Sequence, residues 1–188
     1  MNSSGYEVIR TSVSRETVER VLPKALADAR EVPIDPDGGL PWAYDVFPED
    51  YVPLIEHAKA LLKSMGVIQL DVARVTLIKK SAGEGRRFWH ADSDAPSDPT
   101  RPPVELLVLY YLCDTSESGS LVVRPGYVKG PAHSEHVIEP CADEVIIATK
   151  PGDVVLMDPR LQHASLPNQT AQDRLMIRLW VKCEWGAK

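Results

Sequence analysis

The feature that most constrains this chain is a change of character at Gly66. Beyond it, short runs rich in Val, Ile, Leu and Tyr alternate with clusters of Gly, Pro, Asp and Ser, and no helical period returns. The strand pattern falls at residues 68–79, 87–92, 104–113, 120–124, 135–138, 144–148, 153–158, 162–165 and 174–183. Strands this short gain a core only when they are shared between packed sheets. Before Gly66 the pattern is helical. Ser14 precedes apolar residues at helical spacing, Val18, Val21, Leu22 and Leu26, which predicts a helix over 14–30 that Pro23 shortens or kinks. Residues 32–48 hold four prolines and two adjacent glycines and break any regular element. A second helix is predicted over 49–65, with Ile55, Leu61 and Leu62 inward. The expected fold is mainly β with N-terminal helices: a jelly roll, or double-stranded β-helix, of about eight strands buttressed by helices. A single domain spans 1–188 in this reading, with a helical part over 1–66 and a jelly-roll core over 67–185.

Length and composition narrow the function classes. A chain of 188 residues can bury one full core but not two. With 44% hydrophobic and 26% charged residues and no low-complexity tract, it matches a soluble globular protein. No apolar run is long enough to span a bilayer, and Met1 to Arg10 lacks the basic and apolar stretches of a secretory signal. The expected location is cytoplasmic, away from membranes. Cys113, Cys141 and Cys183 are odd in number and far apart, as suits reduced thiols. A net charge of -6 argues against nucleic acid, whose binders concentrate basic surface.

The strongest chemical signal is Phe88-Trp89-His90-Ala91-Asp92. Residues two apart in a strand project from one face, so His90 and Asp92 can point together into the space between two sheets. An imidazole and a carboxylate so placed supply two ligands of a 2-His-1-carboxylate facial triad, the arrangement that holds iron(II) with open positions. A second His is then required, and His133, His136 and His163 compete for the place. The first two lie in loop-like text. His163 is favoured because it follows a Pro-Gly turn and an apolar strand, 151–158, and precedes another strand.

The segments WHAD, YYLCDTSESGSLVVRPGYVKG and KPGDVVLMDPRLQHASLPNQTAQDRLMIRLWV resemble the iron(II)/2-oxoglutarate-dependent oxygenases, most of all the phytanoyl-CoA dioxygenase-like branch. The ordered set is His90, Asp92, Asp114, Gly119, Pro125, Gly126, Gly152, Asp153, His163, Asn168 and Arg174, and the likeness runs over about 75–181. The resemblance implies an enzyme that uses iron(II), 2-oxoglutarate and O2, with His90, Asp92 and His163 as metal ligands and catalytic centre. It also implies that Arg174 binds the distal carboxylate of 2-oxoglutarate, and a planar guanidinium suits that partner. Arg178, on the same strand face, is the rival. Tyr110 and Tyr111 project to opposite faces, so one can reach the co-substrate while the other packs; Tyr110 stands as the cofactor-binding candidate. The expected reaction is oxidation, by default hydroxylation, of an unactivated C–H bond, with release of succinate and CO2. Tyr127 follows the Pro-Gly turn where the branch usually has Ser-His, so its substrate is not carried over.

A small metabolite, such as an amino acid or a natural-product intermediate, is the expected substrate, and Arg87, Trp89 and Arg101 are candidate substrate contacts near the mouth formed by the loop 93–103. His57, in the helical part, is expected at the surface. Two other classes share the expected architecture: a cupin-like metal enzyme without 2-oxoglutarate and a non-catalytic jelly-roll binding module. A His-x-His pair with a downstream Glu would favour the first, and the sequence lacks that pattern.

Overall fold

The computed structural model describes residues 4–31, 43–93, 102–126 and 139–186. A short strand, β1 (Tyr6–Ile9), precedes helix α1 (Arg15–Glu31), and a three-residue strand, β2 (Ala43–Asp45), precedes a 3-10 turn (Pro48–Tyr51) and helix α2 (Val52–Ser64). The rest is strands: β3 (Val67–Lys80), β4 (Glu105–Tyr111), β5 (Leu121–Val123), β6 (Val145–Ile147), β7 (Val154–Met157), β8 (His163–Ser165) and β9 (Arg174–Trp185). A six-stranded antiparallel sheet runs in the order β1-β7-β4-β9-β3-β2, and a three-stranded one runs β6-β5-β8. This is the helix-buttressed, two-sheet architecture expected from the sequence.

Side-chain alternation explains the layering. On β4, Leu106, Val108 and Tyr110 join the apolar cluster under the helices, while Leu107, Leu109 and Tyr111 belong to the cluster between the sheets. On β9, Leu175, Ile177, Leu179 and Val181 face the helices, and Met176 faces inward. Period 2 on both strands therefore puts Arg174 and Arg178 on the inner face with Met176. The helices cover the opposite face with Val18, Val21 and Ala25 from α1 and Leu54, Ala58 and Leu62 from α2. Leu54 is wholly buried, and emptying such a site by Leu→Ala costs about 2–5 kcal/mol.

Several expectations differ from the structure. α1 continues through Pro23, because its buried face, Val21 and Ala25 on either side of the proline, packs on the sheet. β1 and β2 were not foreseen: β1 pairs with β7 and β2 with β3, each as an edge strand in text with no strand pattern of its own. The strand expected over 87–92 reduces to one isolated bridge, His90 with His163. His57 is not simply a surface residue. Its Nδ1 lies 3.0 Å from the Tyr110 hydroxyl and its Nε2 2.9 Å from the Ser12 carbonyl oxygen, tying α2 to β4 and to the chain before α1. The strand expected over 135–138, together with Arg101, His133 and His136, lies outside the described residues.

Candidate metal centre

The segment carrying His90 and Asp92 runs antiparallel to β8. Arg87 N donates to Ser165 O at 3.0 Å, His90 and His163 exchange backbone bonds of 3.0 and 2.8 Å, and Asp92 N donates to Pro159 O at 2.8 Å. These bonds hold the alternation, so His90 and Asp92 project into the same cleft while Trp89 and Ala91 point away. The cleft opens between the two sheets and is lined from both. Its wall combines apolar side chains from the large sheet, including Leu109, Met157 and Met176, with His90, Asp92, His163, Arg174 and Arg178.

His90, Asp92 and His163 each offer a ligand atom, and these atoms lie within 4.8 Å of one another. Both imidazoles are fixed by their own backbone: His90 Nδ1 lies 3.1 Å from Phe88 O and His163 Nδ1 3.0 Å from Leu161 O. A carbonyl only accepts, so Nδ1 carries the proton in each ring and Nε2 presents its lone pair. Burial, and then the neighbouring His163, pushes the His90 imidazole down to about 3, so it is neutral near pH 7. Burial alone would raise the Asp92 carboxyl, but His163, Arg178 and His90 outweigh it and hold the group below its ordinary range. His163 Nε2 stands 3.6 Å from Asp92 Oδ2, too far for a good hydrogen bond. Two largely buried acceptors facing each other at that distance call for a cation beside both. A divalent metal with nitrogen and oxygen preference fits this donor set.

The remaining candidates separate cleanly. Arg174 is buried at the inner end of β9, with Nη1 donating to Gly119 O at 2.6 Å and its guanidinium 5.9 Å from the Tyr111 ring centre. Its Nε is buried and bonds to none of the described residues. Arg178 instead donates from Nη1 to Asp92 Oδ1 at 3.0 Å, so it belongs to the metal carboxylate. Gly119 has φ +100°, and an added Cβ would lie 2.8 Å from Leu166 O, so only glycine lets the turn bring its carbonyl to Arg174. Asn168 does not reach the cleft. Its side-chain amide donates to Lys80 O, Ser81 O and Gln172 O, holding the β8–β9 connection against β3.

Tyr110 is corrected by this geometry. Its hydroxyl donates to Leu54 O at 3.0 Å under the helices, and Tyr111 is the tyrosine that lines the cleft. Tyr111 was the other member of the pair that the sequence offered, Ser165 was missed by sequence reasoning, and both carry a buried hydroxyl that bonds to none of the described residues. Ser165 had a usable signal, since it stands two residues after His163 on one short strand. Trp89 is also corrected as a substrate contact. It packs with Val122 and Ala164, and its indole N–H donates to Glu139 O at 2.9 Å. Arg87 does line the cleft, with its guanidinium bound to Glu84 at 2.6 and 3.1 Å and to Lys79 O at 2.6 Å.

Comparison with known proteins agrees with this arrangement. The family described as Phytanoyl-CoA dioxygenase (PhyH) matches residues 1–176. No curated protein sequence matches the chain. Among solved structures, HygX from Streptomyces hygroscopicus with nickel and 2-oxoglutarate bound is 17% identical, with TM-score 0.68, over 96% of this chain and 83% of that one. The nogalamycin-pathway epimerase SnoN in complex with Fe3+, alpha-ketoglutarate and nogalamycin RO is 17% identical, with TM-score 0.73, over 96% and 79%. EctD from S. alaskensis in its apo form is 22% identical, with TM-score 0.69, over 96% and 73%. These structures share the fold.

Proposed function

The chain belongs to the phytanoyl-CoA dioxygenase family and is a non-haem iron, 2-oxoglutarate-dependent dioxygenase, and on that premise we propose that it hydroxylates an unactivated C–H bond of a small metabolite. The observation that carries this reading is the convergence of His90, Asp92 and His163 in one cleft with Arg174. In this reading His90 and His163 ligate through Nε2 and Asp92 through a carboxylate oxygen. Arg174 takes the distal carboxylate of 2-oxoglutarate, helped by the Tyr111 and Ser165 hydroxyls, whose lack of partners among the described residues supports that role. Burial pushes the Tyr111 phenol up to about 12, so it stays a proton donor at neutral pH. When bound, the iron and 2-oxoglutarate supply the oxidising chemistry, releasing succinate and CO2. Leu109, Met157 and Met176 keep water from the reacting centre.

A small-molecule substrate is supported by neighbours of the same fold, since HygX is known with hygromycin B bound and SnoN with nogalamycin RO. The whole chain acts as one oxygenase domain in this reading, because both helices and the large sheet share one apolar cluster. Three free cysteines suit a reducing, cytoplasmic setting. No helix of the described residues is long and apolar enough to cross a membrane.

The test is succinate formation by iron-loaded protein with 2-oxoglutarate and O2, screened against amino acids and natural-product intermediates. Hydroxylation predicts substrate-stimulated succinate and a product one oxygen atom heavier. A product of unchanged mass, or one lacking two hydrogens, would replace hydroxylation with epimerisation or with desaturation or ring closure.

A further inference from the structure

Arg178 is buried on the inner face of β9, opposite Thr76 of β3 and Leu109 of β4. Its Nη1 holds Asp92 Oδ1 at 3.0 Å, whereas Asp92 Oδ2 faces His163 Nε2 at 3.6 Å. The two oxygens of one carboxylate are thus divided, one turned to the arginine and one to the His163 ligand nitrogen. Among the described residues Arg178 has no other hydrogen-bond partner, and its buried Nε has none.

Resting on the site reading above, we propose that Arg178 is a positioning residue that confines Asp92 to one-oxygen ligation and so keeps a coordination position open for O2. A facial triad of three donor atoms leaves three octahedral positions, two for chelating 2-oxoglutarate and one for O2. If Asp92 bound through both oxygens, it would fill one of these. The 2-oxoglutarate chelate would then complete the shell and leave O2 no site. A hydrogen bond from a buried guanidinium to Oδ1 opposes that swing, and its strength rises where water is excluded.

The experiment uses nitric oxide as a probe for the O2 position in anaerobic iron(II) protein with 2-oxoglutarate bound. Its adduct is followed by electron paramagnetic resonance, and 2-oxoglutarate binding by visible charge-transfer absorption. The variants are Arg178→Met, which removes the donor, and Arg178→Lys, which keeps a donor and the charge. Arg178→Met is expected to keep iron and 2-oxoglutarate binding within about threefold of wild type and to weaken nitric oxide binding at least tenfold, with partial recovery in Arg178→Lys. Should Arg178→Met fail to fold, Arg178→Lys carries the test, with an intermediate loss of nitric oxide affinity expected. Wild-type nitric oxide affinity in the folded variants would overturn the proposal. So would a parallel loss of iron, 2-oxoglutarate and nitric oxide, which marks a general structural role. Wild-type protein that takes up no iron would instead overturn the site reading itself.

Discussion

Replacing Arg174 by Met separates stability from co-substrate binding. The side chain is buried, and burial, partly countered by Tyr111, lowers its pKa, so the folded protein carries the cost of a desolvated cation. Met is unbranched and flexible and fills the space of the aliphatic part of the arginine. The change leaves Gly119 O without the 2.6 Å donor, a loss of about 1–3 kcal/mol, but it also removes the buried charge, which offsets much of that. Net stability should stay within roughly 1–2 kcal/mol, a melting shift of a few degrees for a chain of this size. Binding behaves differently. Removing the charged partner of a buried carboxylate costs about 2–5 kcal/mol, or roughly 30- to 4,000-fold in the 2-oxoglutarate dissociation constant at about 1.4 kcal/mol per tenfold. Anaerobic titration of iron(II) protein with 2-oxoglutarate, followed by its charge-transfer absorption beside a thermal melt, measures both. A dissociation constant within about threefold of wild type in a folded Arg174→Met protein would refute the assignment.

The two tyrosines should part in the same titration. Tyr111→Phe is expected to weaken 2-oxoglutarate by about 0.5–1.5 kcal/mol at little cost in stability. Tyr110→Phe is expected to leave the affinity unchanged and lower the melting temperature, because it removes the donor to Leu54 O; the reverse pattern would reassign them. Burial pushes the Lys80 amine down to about 8 from 10.5, so above that pH the unfolded chain holds more protons than the folded one and stability should rise with pH. The buried Cys183 thiol, raised to about 11 from 9.0, works in the opposite sense above pH 9. The difference between wild type and Lys80→Met should therefore grow from about pH 8 upward in urea unfolding, and parallel curves would contradict the shift.

Much of the site is written in strand parity. The two-residue step from His90 to Asp92 survives even though the segment forms only one bridge to β8, because side-chain direction follows local backbone geometry rather than complete pairing. The same parity would have excluded Trp89 from the cleft and included Ser165. It places Arg174 and Arg178 on one face without dividing their roles. The division comes from reach: four residues along a strand are about 13 Å, which sets Arg178 at Asp92 and Arg174 at Gly119. For Tyr110 and Tyr111 alternation is legible, but which face the helices cover is decided by packing between distant segments. β1 and β2 stay hidden for a related reason, since each takes its strand conformation from a partner far away in the chain. His57 was misjudged because its partners, Ser12 and Tyr110, meet only in the folded molecule. The family match decides for the 2-oxoglutarate-dependent enzyme over the cupin-like enzyme and the binding module.

The most direct test is an anaerobic iron(II) titration of the wild-type protein and of His90→Ala, Asp92→Ala and His163→Ala, each checked for folding and then given 2-oxoglutarate. The account predicts one iron per wild-type chain with a visible charge-transfer band on adding 2-oxoglutarate, and a loss of iron affinity of at least tenfold in each folded variant. Wild-type iron uptake and an unchanged band in any one of the three would contradict the assignment of that residue as a ligand.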